Sequence, residues 1–248
     1  METSVENTVH TAGRCSPVYA LLRKTSFIDY PGRLARVLFI SGCNLRCSFC
    51  HNWELIKHQE TSIEWERLEQ ILQASRENWV DAVCISGGEP TLHPLIEELV
   101  LWLKGLGFRV KLDTNGTRPG VLEKLLPHLD YVAMDYKAPR ANYREVAGHP
   151  ALDVDNITES IRLIRHWEGD YEIRTTVVEG MHSEDDMLAI CRELAGVRRY
   201  VLQGYVPLRD SEGEINPDLP SQRTSRHLLR RYRDLCREHF KETILRGE

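Results

Sequence analysis

The chain has 248 residues, is 42% hydrophobic and carries a formal net charge of −5; that is enough apolar content for a substantial core, and the wrong sign for a nucleic-acid partner. No apolar run approaches the roughly 20 residues of a membrane span, and Met1 to Gly13 lack an apolar signal core, so no membrane partner and a cytoplasmic location are expected. Seven cysteines, an odd number in a chain of this length, argue against a disulfide framework.

Residues 1–16 are polar and patternless and read as a flexible tail, followed by a single domain over 17–248. Beyond the tail, short apolar runs alternate with helical patterns. Strands are predicted at 36–40, 82–86, 109–113, 131–135, 171–177 and 200–205. Helices are predicted between them at about 63–78, 94–106, 120–126, 156–167 and 183–195. The first helix carries Ile63, Trp65, Leu68, Ile71 and Leu72 at helical spacing. Ser183 ahead of Glu184, Asp185 and Asp186 reads as an N-cap with an acidic first turn. A C-terminal helical extension is expected from about 221 to 240, its basic residues forming a solvated amphipathic face.

Six strands alternating with helices predict an α/β fold of parallel strands. Six units are too few for a closed eight-stranded barrel, so a partial (β/α)6 barrel of the TIM type is inferred; an open doubly wound sheet has the same periodicity. In either arrangement chemistry gathers at the C-terminal ends of the strands.

The most informative motif follows the first of these strands. Cys43, Cys47 and Cys50 are spaced C-x3-C-x2-C. Three thiolates on one loop can bind three irons of a single [4Fe–4S] cluster and leave the fourth open, the logic of a catalytic rather than a closed metal site. A Cys3His zinc site using His51 is the alternative, but zinc sites usually draw on two separate cysteine pairs, and Cys15, Cys84, Cys191 and Cys236 stand alone in the sequence. The second strand ends in Ser86-Gly87-Gly88-Glu89-Pro90, where two glycines let backbone approach a ligand. The third ends in Asp113-Thr114-Asn115-Gly116, a turn signal behind a carboxylate. The fourth ends in Asp135-Tyr136-Lys137. Asp113 and Asp135 should face one opening, which is unfavourable unless Lys137 or a bound monovalent cation neutralises them. Arg174 lies on the opposite face of its strand from Ile173, where its guanidinium suits either a carboxylate ligand or a surface ion pair.

Together with Ser26-Phe27-Ile28-Asp29-Tyr30-Pro31-Gly32 and Cys50-His51-Asn52, these motifs resemble the glycyl-radical-enzyme activating enzymes of the radical S-adenosylmethionine (SAM) superfamily. The short anaerobic ribonucleoside-triphosphate reductase activating proteins are the closest subgroup. The resemblance spans about 24–206. It implies one [4Fe–4S] cluster on Cys43, Cys47 and Cys50, since no cysteine-rich domain is inserted after Asn52. It implies SAM contacts from Phe49, His51, Gly87, Gly88, Glu89, Asp135, Lys137 and Arg174, with Asp113 beside them. A monovalent cation at Asp113, Thr114 and Asp135 is also implied, and Asp29 would face a substrate glycine loop. The implied reaction is reductive cleavage of SAM to methionine and a 5′-deoxyadenosyl radical, which takes hydrogen from a glycine. The implied partners are a glycyl radical enzyme such as anaerobic ribonucleotide reductase, and flavodoxin or ferredoxin as electron donor. Formate-lyase activases place a histidine where this chain has Tyr205, so that contact is not carried over. The loop over 210–220 has no counterpart. The same core could instead modify a small molecule or a peptide. A non-catalytic iron–sulfur or zinc protein would need neither the Gly-Gly-Glu-Pro motif nor the strand-end acids.

Overall fold

The computed structural model describes residues 15–21, 24–53, 62–207 and 220–247. The expected tail up to residue 14 and positions 210–219 of the expected loop lie outside them. The described residues form one eight-stranded sheet in the order β1-β2-β3-β4-β5-β6-β7-β8. The strands are β1 (Val18–Leu21), β2 (Ala35–Ile40), β3 (Ala82–Gly87), β4 (Arg109–Thr114), β5 (Tyr131–Asp135), β6 (Asp170–Val177), β7 (Arg199–Gly204) and β8 (Glu242–Arg246). From β2 to β8 every neighbouring pair is parallel. Only β1 runs antiparallel, against β2, with its register broken between Val18 and Ala20.

The six predicted strands are β2 to β7, so the partial barrel of parallel strands stands. Two strands were not anticipated. β1 is four residues long, and β8 is a short run after the last helix. Both are edges, so the sheet does not close into a ring.

Helices cover the outer face: α1 (Trp65–Arg76), α2 (Ile96–Gly105), α3 (Pro119–Leu125), α4 (Tyr143–Val146), α5 (Val154–His166), α6 (Glu184–Glu193) and α7 (Arg226–Cys236). α1 buries Trp65, Leu68 and Leu72, the stripe expected from spacing. The Ser183 hydroxyl accepts from Asp186 N at 3.1 Å while the Asp186 carboxylate accepts from Ser183 N at 2.9 Å, a reciprocal cap that fixes the start of α6. Ser225 caps α7. Cys191 and Cys236, remote in sequence, are both buried in the core, one on α6 and one on α7. No helix of the described residues is long and apolar enough to cross a membrane.

Period-two alternation sorts the strand residues onto two faces. Val83, Ile85, Val110, Leu112, Val132, Met134, Ile173 and Leu202 pack outward into the main hydrophobic core under the helices. The residues between them face the lumen and are polar or charged toward its open end, among them Ser86, Lys111, Asp113, Asp135, Arg174, Gln203 and Arg246. Deeper in the lumen, Ala35, Ala82, Ala133, Tyr30 and Tyr131 form a small apolar plug. The fold therefore holds its charged residues inside the curved sheet and its oily ones outside.

Candidate active site

A cavity of about 520 Å³ opens at the C-terminal ends of the strands. One wall is the loop after β2, and the side chains of Cys43, Cys47 and Cys50 all line the cavity. Several short contacts hold this loop in place. Leu45 N donates to Cys43 Sγ at 3.4 Å, and the Asn115 amide reaches the same sulfur at 3.8 Å. Cys50 N bonds Cys47 O at 3.1 Å, and Arg46 N bonds Ala147 O at 2.9 Å. Asn44 donates to Thr117 at 2.9 Å and accepts from Asn115 at 3.1 Å, which ties the loop to the turn after β4. The Asn52 amide donates to Gly87 O at 2.8 Å, which ties it to β3. Burial pushes all three thiols above their ordinary range, against the pull of nearby backbone N–H groups and Lys137, so without a metal they are neutral.

Among the described residues no three His, Cys, Asp or Glu side chains converge as ligands of one metal ion do. Thiolates of a cubane bind separate irons and need no such convergence. The three cysteines on one buttressed loop, with backbone N–H groups directed at sulfur, are a fitting donor set for such a cluster.

The glycines of the second motif serve close approach. Gly88 N bonds Ile40 O at 2.9 Å and Glu89 N bonds Gly42 O at 2.8 Å. A Cβ on Gly88 would collide with the Gly42 carbonyl oxygen, and Gly87 combines a φ of 125° with the Ile40 backbone against its Cα. Both residues line the cavity, so their lack of side chains serves the packing of two strand ends as well as access for a ligand.

Glu89 needs a correction. It was expected among the SAM contacts, but it is fully buried and does not line the cavity. Its carboxylate accepts from Thr91 N at 3.1 Å, Thr91 Oγ1 at 2.5 Å, Thr114 Oγ1 at 2.8 Å and Asn115 N at 2.5 Å. Four donors saturate it, and its place is under the loops, joining the ends of β3 and β4.

The floor is a chain of charges. Asp113 Oδ1 accepts from the Lys111 ammonium. Asp113 Oδ2 faces Ser86 Oγ at 3.2 Å and Arg174 NH1 at 3.5 Å. Arg174 Nε donates to Asp135 Oδ1 at 2.9 Å, and Lys137 Nζ reaches Asp135 Oδ2 at 3.5 Å. Burial alone would raise both carboxyls, but Arg174 and the two lysines outweigh it and hold them below the usual carboxylate range. Lys137 and Lys111 are likewise kept charged: burial works against each, and their carboxylate partners prevail. Asp113 and Asp135 were expected from sequence to need Lys137 or a monovalent cation to neutralise them. All four oxygens of Asp113 and Asp135 face protein donors, so Lys111, Arg174 and Lys137 supply the neutralisation that these acids were expected to require.

Around the rim, Phe49 packs with Val178 and Tyr205. The His51 ring stacks on Tyr205 with centroids 5.3 Å apart, and its Nε2 lies 3.0 Å from Val206 O. Asp29 also lines the cavity, held in a turn by the Ser26 hydroxyl, which donates to its carboxylate at 2.5 Å. The structure brings Asp29, the three cysteines, Phe49, His51, Gly87, Gly88, Asp113, Thr114, Asp135, Lys137 and Arg174 to one cavity.

Sequence reading missed Lys111, which shares the inward face of β4 with Asp113. The two-residue spacing was there to find it. It also missed the deeper pair Glu172 and Arg246, whose guanidinium makes two bonds at 2.5 and 2.7 Å to a fully buried carboxylate. Nothing local in the sequence announces that pair, because it joins β6 to the unanticipated β8.

Comparison with known proteins gives a consistent picture. The model of the Radical SAM superfamily matches residues 37–202. A Methanocaldococcus jannaschii protein described as a candidate glycyl-radical enzyme activating enzyme is 31% identical over 89% of this chain and 92% of its own length. The pyruvate formate-lyase-activating enzyme of Staphylococcus aureus is 32% identical over 74% of this chain and 67% of its own. Among solved structures, SuiB of Streptococcus suis bound to S-adenosylmethionine superposes with a TM-score of 0.63 at 17% identity, covering 83% of this chain and 48% of that one. That likeness bears on the fold alone.

Proposed function

The chain belongs to the radical SAM superfamily, within its glycyl-radical enzyme activating enzymes, and we propose that it generates a glycyl radical on a partner enzyme from a cluster and SAM held in the strand-end cavity. The observation that carries this reading is the meeting of three loop cysteines with Arg174 and Lys137 in one cavity. Cys43, Cys47 and Cys50 are the cluster ligands. The cluster and SAM, when bound, supply a 5′-deoxyadenosyl radical that abstracts hydrogen.

The chain's own residues do the rest. Lys137 and Arg174 present positive charge to the SAM carboxylate. Gly87 and Gly88 keep the ends of β2 and β3 close and leave backbone open to the cavity. Phe49, buried against Val178 and Tyr205, gives an apolar wall that excludes water from the reacting centre. His51 is fixed by its stack on Tyr205. Asp29, which lines the cavity from the connection ahead of β2, is assigned to face the partner's glycine loop. The partner is a glycyl radical enzyme, with anaerobic ribonucleotide reductase as the specific expectation and flavodoxin or ferredoxin as electron donor.

The test is anaerobic reconstitution with iron and sulfide, reduction with dithionite in the presence of SAM, and assay of 5′-deoxyadenosine. Product is expected from the wild-type protein and not from Cys43→Ala, Cys47→Ala or Cys50→Ala. An intact, reduced cluster that yields no product, with a glycyl radical enzyme present, would overturn the reading.

A further inference from the structure

Lys111 has no part in the reading above, yet it lines the same cavity, almost wholly buried at its deep end. It is 2% exposed in the middle of β4. Its ammonium donates to Asp113, with Cys84 Sγ at 3.6 Å and the Tyr131 ring centroid at 6.0 Å. The groups facing it are Cys84 from β3, Asp113 from its own strand, Tyr131 from β5, and Glu172 and Arg174 from β6. Burying an ammonium is costly, and Asp113 already has Arg174 and Ser86 as partners. Compensation of that carboxylate alone does not require a lysine here.

What Lys111 changes is the charge of the floor. Lys111, Asp113, Arg174, Asp135 and Lys137 alternate in sign along an unbroken chain of contacts. Three cations face two carboxylates. Without Lys111 the remaining four groups cancel. With it, one positive charge is left over within the chain of five.

We propose that Lys111 is a positioning residue that sets the charge of the cavity floor: by engaging Asp113 from below, it leaves Arg174 and Lys137 with a net positive charge for the carboxylate of SAM. This rests on the functional reading above, in which that carboxylate meets Arg174 and Lys137. Lys111 itself touches no ligand.

The test is SAM affinity of the anaerobically reconstituted protein, measured by equilibrium dialysis alongside iron content and thermal midpoint. Lys111→Met should weaken SAM binding roughly ten- to thirtyfold with iron content unchanged, the scale of one unit charge several ångströms from an anion. The double variant Lys111→Met/Asp113→Asn removes one charge of each sign and restores the surplus, while the amide oxygen can still accept from Arg174. It should recover most of the lost affinity. A packing role for Lys111 would not be rescued this way, so a double variant as weak as the single one overturns the inference. Unchanged affinity in Lys111→Met overturns it as well. Should Lys111→Met fail to fold, Lys111→Gln takes its place with the same expectations. A wild-type protein that holds its cluster but binds no SAM overturns the functional reading and this inference together.

Discussion

The two walls of the cavity are built on opposite plans. The cysteine wall carries three thiols that burial keeps neutral, and its loop is held by backbone and amide hydrogen bonds. The floor carries five charges in alternating contact, each carboxylate satisfied by cations of the same chain. The floor's two carboxylates are satisfied as folded, with one positive charge to spare. The cysteine wall is shaped by the protein but chemically unfinished, and only a guest that takes thiolates completes it. A site made of both halves can keep its geometry while the guest is absent.

Changes to the two walls should therefore fail in different ways, and the largest loss of stability belongs to the floor. Arg174→Met removes the cation shared by Asp113 and Asp135 and leaves buried carboxylates short of a partner. About 3–5 kcal/mol of folding stability should be lost in denaturant titration; an unchanged midpoint would mean that the floor does not support itself. Gly88→Ala comes next, because its Cβ must displace the Gly42 backbone beside Cys43. Roughly 1–3 kcal/mol is expected, together with impaired iron uptake on reconstitution.

A milder break of the floor is acid. Asp113, Asp135 and Glu172 all have carboxyls held below their ordinary range, in each case by cations that outweigh burial. The unfolded chain takes up protons near pH 4 before the folded one does, so stability is present above that pH and falls as pH drops below it. Stability measured against pH should decline there, and a flat profile would contradict the ion-pair assignment. The smallest effect on the fold is expected from Cys47→Ala: less than about 1 kcal/mol in the metal-free protein, yet complete loss of cluster iron. Retention of full iron by that variant would remove Cys47 from the ligand set.

Much of this was legible in the sequence, for reasons that differ by element. The six inner strands announce themselves by apolar runs, and the cysteine loop by spacing alone. The strand-end motifs were placed at the correct end of the sheet because parallel β-α units leave little choice. Glu89 was misjudged because two of its partners, Thr114 and Asn115, become neighbours only once β3 and β4 pair. Lys111 was overlooked although alternation sets it beside Asp113; a lysine inside a strand reads as solvent-facing until the lumen is known to be charged. β8 and its Arg246 bond to Glu172 were beyond reach, since five residues after a helix carry no period of their own.

The sheet ends in two edges, β1 and β8, and does not close. Arg246 and Gly247, from the β8 end of the sheet, line the same cavity as Ile28 and Asp29, which lie in the connection between β1 and β2. A sealed ring of strands admits a polymer only as a tight bend lowered through its mouth. An unsealed ring adds an opening along its side. A bend in a chain whose two ends continue elsewhere can be laid in from the side and withdrawn the same way, unknotted, however large the bodies attached to those ends.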